Sequence, residues 1–290
     1  MRITGNRIIE LAAAANQRIQ GEVGDKAEEL SSGMRVVVPS DDPAAWIEGR
    51  RASIRQALSE GRGDAIARSK ERLVETDRAL DVVGGVVSRA REIAISAANA
   101  IQGPDQRAAL ALEVRSLFGE ALAAANTQTS EGEYVFAGAQ SDTAPFDATG
   151  AYAGDGAVRF IETSERATQQ VSVSGQVLTA ASGVDILPAL EALAVALDTN
   201  DVPGIQAGLG VMQQAVGQVS RARSFAGSAA GSLNQVNDAR DSLEISLDRI
   251  IARSVESDFV DAASDMAQRS AALEASRQVT AKVISLFAAG

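Results

Sequence analysis

Apolar residues recur every seven positions along much of this chain. Ile66, Leu73, Leu80, Val87, Ala94 and Ile101 are spaced by sevens, and Val83, Ala90 and Ala97 fill the position three further on. A repeat of that period keeps both sets on one helical face and predicts a coiled-coil seam. The run extends from about Pro43 to Ile101, which as continuous helix would reach roughly 80–90 Å. Upstream, Ile8, Leu11, Ala12, Ala15, Ile19, Val23, Ala27 and Leu30 recur at three- and four-residue steps, the stripe of an amphipathic helix. Gly103-Pro104 breaks the pattern, and a further helix over about 105–129 carries Leu110, Val114, Leu117, Ala121 and Ala124 on one face. Helix returns at Ile186. A turn at Asn200 to Gly204 leads into another long run to about Ser254, and a last helix bears Phe259, Met266, Leu273, Thr280 and Phe287 at heptad spacing, with Ala263, Ser270 and Ile284 alongside.

Between the helical halves the character changes at Glu131. Short apolar stretches alternate with Gly, Asp, Ser and Pro, and Val158–Ile161 and Val171–Val173 are the clearest strand candidates. The pattern therefore predicts a mainly α protein with a small inserted β-rich module, an elongated helical rod whose N- and C-terminal helices lie adjacent. The expected parts are a terminal helix and joint over 1–45, long helices over 46–132, the β-rich module over 133–183, returning helices over 184–253, and a closing helix over 254–290.

The joint, Leu30 to Trp46, is the most punctuated stretch. Ser31, Ser32 and Gly33 form a helix stop, with Gly33 suited to the left-handed conformation of a C-cap. Val36 to Val38 are β-branched and favour extended backbone. Ser40-Asp41-Asp42-Pro43 then forms a helix start, because an acidic N-cap followed by proline satisfies orphan amides and complements the helix dipole.

Composition narrows the function. With 290 residues and 46% hydrophobic positions but only 3% aromatic ones, the core is built from Ala, Leu, Val and Ile. A net charge of −11 argues against nucleic acid. No run approaches the roughly 18 apolar residues of a membrane span, so no membrane insertion is expected, and the N-terminus lacks a cleavable signal-peptide pattern. Cysteine and histidine are both absent, which removes disulfides, thiolate metal sites and the usual neutral-pH base.

No catalytic, cofactor or metal site is expected. Ser276 and Lys282 stand six residues apart, on different helix faces. The acidic pairs Glu28-Glu29, Asp41-Asp42 and Glu162/Glu165 fit solvated faces, caps or strand ends. Gly208-Leu209-Gly210 lacks the third glycine of a dinucleotide loop.

The run Leu-Ser-Ser-Gly at 30–33 followed by Asp41-Asp42-Pro43-Ala44 resembles the N-terminal loop of the flagellin and hook-associated protein family. The opening Met1-Arg2-Ile3-Thr4 resembles that of the hook–filament junction branch more than that of filament flagellins. Glu133-Tyr134-Val135-Phe136-Ala137-Gly138, Pro145-Phe146 and Tyr152-Ala153-Gly154-Asp155 resemble the start of the junction branch's β domain. Ser254–Phe259, Leu273–Ser276 and Ile284–Phe287 resemble the family's closing helix.

The resemblance implies a flagellin-like fold and an exported structural subunit, located on the extracellular flagellum and joining hook to filament. The alternatives are a filament flagellin and a non-flagellar coiled-coil scaffold. Expected partners are copies of the chain in a ring or helical layer, a neighbouring hook-associated protein, flagellin and a flagellar export chaperone. Expected assembly residues are Ile8, Leu11, Ala15, Ile19, Leu30, Gly33, Asp41, Asp42 and Pro43 at the start, and Phe259, Met266, Leu273, Ile284 and Phe287 at the end. The two apolar stripes would pack together, partly across subunits.

Overall fold

The seven-residue repeat forms a helix that turns its repeating positions inward. The computed structural model describes residues 2–99, 102–164 and 166–288, with the side chains of 2–6, 8 and 286–288 outside the description, as are Met1, Ile101 and Glu165 altogether. Among the described residues six α-helices form: α1 (Arg2–Ser32), α2 (Pro43–Ala97), α3 (Pro104–Ala125), α4 (Ile186–Asp198), α5 (Val202–Val255) and α6 (Phe259–Ala288). Two short strands, β1 (Phe160–Ser164) and β2 (Ala167–Gln170), pair antiparallel. The elements divide into two units, one of residues 1–59 with 242–290, the other of residues 60–241.

In the unit of residues 60–241, Ile66, Leu73, Leu80, Val87 and Ala94 are all buried, and so are Val83, Ala90 and Ala97. Ser69 and Thr76 continue the second set toward the N-terminus. Each is buried and donates its hydroxyl to the carbonyl four residues back, at 2.7 Å. Helix α5 carries a matching repeat: Ile205, Met212, Val219, Ala226 and Leu233 by sevens, with Ala215, Ala222 and Ala229 between them, all buried in the same core. So many alanines leave room for helix backbones to approach closely. Arg223 of α5 pairs with Asp77 of α2 at 3.0 Å.

Helices α3 and α4 complete this core with Ala111, Val114, Ala121, Leu190, Leu193 and Leu197, while Leu110 and Leu117 pack at its margin. The Gly103-Pro104 break places Gly103 at the N-cap and Pro104 in the first turn of α3. The freed carbonyls at the end of α2 are met by buried Arg107, which donates to Ala97 O at 2.9 Å and Asn99 O at 3.2 Å. Arg107 also donates to the side chain of Asn200, a residue with φ +55° in the turn between α4 and α5.

The strands differ from the sequence expectation. The hairpin lies at 160–164 and 167–170, whereas Val171 to Ser174 is extended but outside any strand and buried along its whole length. Val171 donates to Arg159 O at 2.9 Å, and the Ser172 hydroxyl accepts from Arg159 N at 2.7 Å, so the segment is fixed by single bonds rather than a ladder. Gln218 of α5 secures the stretch from Val177 to Val184. Its amide nitrogen donates to Val177 O, Thr179 O and Val184 O, and its oxygen accepts from Val184 N.

Candidate assembly surface

In the unit of residues 1–59 and 242–290, α1 and α6 bring the two ends of the chain together. On α1 the partly buried positions Ile9, Ala12, Asn16, Ile19, Val23, Lys26 and Leu30 alternate steps of three and four, with Glu22 and Glu29 partly buried at their flank. On α6 the buried or partly buried positions Ala262, Met266, Arg269, Leu273, Ser276, Thr280 and Val283 show the same alternation, with Ala263 partly buried beside them. That spacing is a heptad seam. Four of its polar members make cross-links: Arg269 with the flanking Glu22, Lys26 with Asp265 at 3.9 Å, and Asn16 with Thr280 at 3.3 Å. Ser257, just before α6, donates to Glu29 at 2.6 Å. Hydrogen bonds from Lys26 and then Ser257 hold the Glu29 carboxyl below its ordinary pKa.

Of the residues singled out in sequence, Ile19, Leu30, Met266 and Leu273 lie on this seam. Leu11, 65% exposed, Ala15 and Ile284 lie one position off it and face outward, and Phe259, 69% exposed at the start of α6, is also uncovered. The side chains of Ile8 and Phe287 lie outside the described residues. Sequence reasoning missed Asn16, Glu22 and Arg269 because apolar periodicity does not register polar seam members. The opposite charges of Glu22 and Arg269 were the available signal.

The joint is a capped turn. Gly33 adopts φ +72° and donates to Glu29 O at 2.9 Å, the left-handed cap that ends α1. Arg35 and Val36 donate their amides to Val255 O at 2.8 and 3.2 Å, and Ser257 N donates to Gly33 O at 2.9 Å. Arg35 also reaches Ser254 O at 2.9 Å and Asp42 at 3.5 Å. Thus the end of α5 and the joint are tied together, a role at which the sequence pattern did not hint.

The two aspartates divide the labour. Asp42 is the N-cap of α2, its Oδ1 accepting from Ala45 N at 3.0 Å, with Pro43 first in the helix. Asp41 Oδ2 accepts from the amides of Val37 at 3.0 Å and Val38 at 2.9 Å. These backbone donors hold both carboxyls below the usual aspartate range, Val38 then Val37 for Asp41 and Ala45 for Asp42. Val36 to Val38 therefore form no strand, because Asp41 draws the Val37 and Val38 amides into the turn. Val36 is buried, while Val37 and Val38 stand 49% and 46% exposed.

Among the described residues no group of three or more acidic, histidine or cysteine side chains is placed to hold a metal, and no helix is long and apolar enough to cross a membrane. The arrangement offers surfaces for packing. Comparison with known proteins agrees in kind. Residues 6–141 match the family described as the bacterial flagellin N-terminal helical region. Flagellar hook-associated protein 3 of Escherichia coli (strain K12) is 31% identical over 180 residues, 61% of this chain and 54% of that protein. The protein of the same name from Salmonella typhimurium is 29% identical over 198 residues, 67% of this chain and 59% of that protein. The matches thus span little more than half the length of these relatives. A solved structure described as a flagellar hook-associated protein from Vibrio parahaemolyticus aligns with TM-score 0.68 and 22% identity over 74% of this chain and all of that one. FlgL of Xanthomonas campestris aligns with TM-score 0.63 and 16% identity over 69% of this chain and 99% of that one. At these identities the structural likeness is one of fold.

Proposed function

We propose that the chain belongs with the flagellin-like hook-associated proteins and is a structural adaptor subunit joining the flagellar hook to the filament. The observation that carries the proposal is the pairing of the chain's two ends, α1 with α6, through a seam rich in polar residues. That pairing leaves Leu11, Phe259, Val260, Val279 and Ile284 exposed on unit surfaces. Burying a large apolar side chain is worth about 1.5–3 kcal/mol, so several such residues covered together supply a strong drive to assemble. We assign the assembly role to the two terminal helices and the joint, and the spacing role to the unit of residues 60–241. The partners are further copies of this chain, a neighbouring hook-associated protein, flagellin and an export chaperone. The place of action is the extracellular flagellum.

A deletion strain tests this. Loss of the gene is expected to leave hooks without filaments and to release flagellin into the medium, both reversed by the wild-type gene. Filaments of normal length in the deletion strain overturn the proposal, and long filaments grown from this protein alone identify it as a filament flagellin.

A further inference from the structure

The joint presents a small apolar projection. Val37 and Val38 stand out side by side, about half exposed, on a turn fixed from behind by Asp41. The same unit holds an unfilled groove of about 400 Å³ between the start of α2 and the end of α5, floored by Ala44, Ile47, Ala52, Leu247 and Ile250. It runs on into a second hollow that shares Ala44, Glu48 and Ile250. Neither Val37 nor Val38 lines either hollow, so the chain's own projection does not fill its own groove.

Charge marks the occupant. Arg51, Arg55 and Glu48 edge the groove, so its rim carries one net positive charge, and the two guanidiniums form no ion pair among the described residues. On the projection, Asp41 accepts hydrogen bonds from backbone amides alone and has no cationic partner among the described residues. An unpaired carboxylate beside an apolar projection complements an apolar groove whose rim holds two unpaired guanidiniums against the single carboxylate of Glu48. Both features lie on one chain, so one copy can be host to the next.

We propose that the Val37–Val38 projection of one copy seats in the Ala44–Ile47–Ile250 groove of a second copy, with Asp41 meeting Arg51 and Arg55. The contact is heterologous, because projection and groove are different patches. Such a contact repeats head to tail and closes into a ring or runs on as a helix, according to the rotation it imposes. This rests on the assembly role proposed above, adds a side-by-side contact distinct from the α1–α6 seam, and gives the turn held by Asp41 a purpose beyond linking two helices.

The chain contains no cysteine, so thiols can be placed one at a time. Full-length Val38→Cys and Ile47→Cys chains, differently tagged, are co-expressed in the deletion strain, and sheared flagella are oxidised and separated without reductant. The expected product is a disulfide-linked dimer bearing both tags, absent when either variant is expressed alone. Adding Arg51→Glu and Arg55→Glu to the Ile47→Cys chain is expected to lower its yield at least tenfold.

A photoreactive benzoylphenylalanine at position 47 provides a readout that needs no thiol. Adducts to residues 37–38 of a second copy support the inference. Normal filaments with no mixed dimer, dimers of one variant with itself, or adducts to flagellin or another hook protein overturn it and leave the junction proposal standing. Failure of the wild-type gene to restore filaments overturns the junction proposal, and this inference with it.

Discussion

Asn16 and Thr280, 264 residues apart in sequence, meet across the α1–α6 seam, where Asn16 Nδ2 donates to Thr280 Oγ1 at 3.3 Å. The bond uses only half of the amide, and Asn16 Oδ1 is buried without a partner among the described residues. A polar residue at such a position fixes the register of two helices at a cost in stability, since any slip separates the pair. The seam thus specifies which residues face each other more than it holds them together.

Replacing Asn16 by Leu is expected to strengthen the pairing while loosening its register. Removing the unpartnered oxygen should stabilise α1 against opening by about 1 kcal/mol, roughly fivefold slower amide exchange. Hydrogen exchange of α1 amides measures this. Faster exchange in the variant would show that the Asn16–Thr280 bond is worth more than the buried oxygen costs.

The joint should respond to acid. A carboxyl whose folded pKa is depressed adds stability above its unfolded pKa and loses it as pH falls through the folded one. Both Asp41 and Asp42 are shifted downward. The turn is therefore expected to stay intact above about pH 4 and to loosen below it. Amide resonances of Val37 and Val38, followed by NMR, should titrate with a midpoint below the ordinary aspartate value, and Asp41→Asn should abolish that titration. A midpoint at or above the ordinary value would separate Asp41 from the two amides.

How far the sequence foretold this molecule depended on which physics each segment obeys. The α2 repeat was legible because Ile66, Leu73, Leu80, Val87 and Ala94 are apolar without interruption and all buried. The α1 stripe expected from sequence is one residue out of phase at Leu11 and Ala15. Ala12 to Ala15 are four alanines in a row, so composition there carries no phase, and the true seam includes Asn16 and Lys26. Val36 to Val38 had strand propensity, but Asp41 lies close enough to take two of their amides, and a local side-chain bond outcompeted an absent ladder partner. The Asp42-Pro43 cap was legible because its chemistry is local. The bonds from Arg35 to Ser254 and from Ser257 to Glu29 were not, because they link positions more than 200 residues apart.

Two arginines that share one acid should differ in consequence. Arg72 and Arg159 both reach Glu133 Oε2, at 2.7 and 2.9 Å, but the Arg72 side chain is 7% exposed and that of Arg159 is 38% exposed. Arg72 also donates to Tyr134 O at 2.7 Å. Arg72→Met removes a buried guanidinium and leaves that part-buried carbonyl without its donor, and should cost about 2–3 kcal/mol. Arg159→Met removes a solvent-screened pair and should cost under about 1 kcal/mol. Tyr134 and Tyr152 belong to this unit, so urea unfolding followed through tyrosine near-ultraviolet signals compares the two. Equal losses would mean that burial of Arg72 contributes nothing to the difference.

Gly33 and Gly138 share a left-handed backbone, at φ +72° and +80°, but not its surroundings. A Cβ on Gly33 would meet nothing within 4 Å, so Gly33→Ala carries only the conformational cost, about 1 kcal/mol. On Gly138 the same atom would sit 1.9 Å from Asp155 Oδ1, which accepts from Ala139 N at 3.0 Å and Ala157 N at 2.9 Å. Gly138→Ala must therefore expel Asp155 and lose those bonds as well, for a total of about 3 kcal/mol. The chain's single tryptophan, Trp46, lies in the same unit as Gly33, and both tyrosines lie with Gly138. Gly33→Ala should shift the tryptophan-detected urea midpoint modestly, and Gly138→Ala should shift the tyrosine-detected one about three times as far in free energy. Adding Asp155→Ala to Gly138→Ala should then cost little more, because the bonds it removes are already gone. A large further loss would show that Asp155 keeps its amides when Gly138 is replaced, and that the close approach of these two residues is not what requires glycine there.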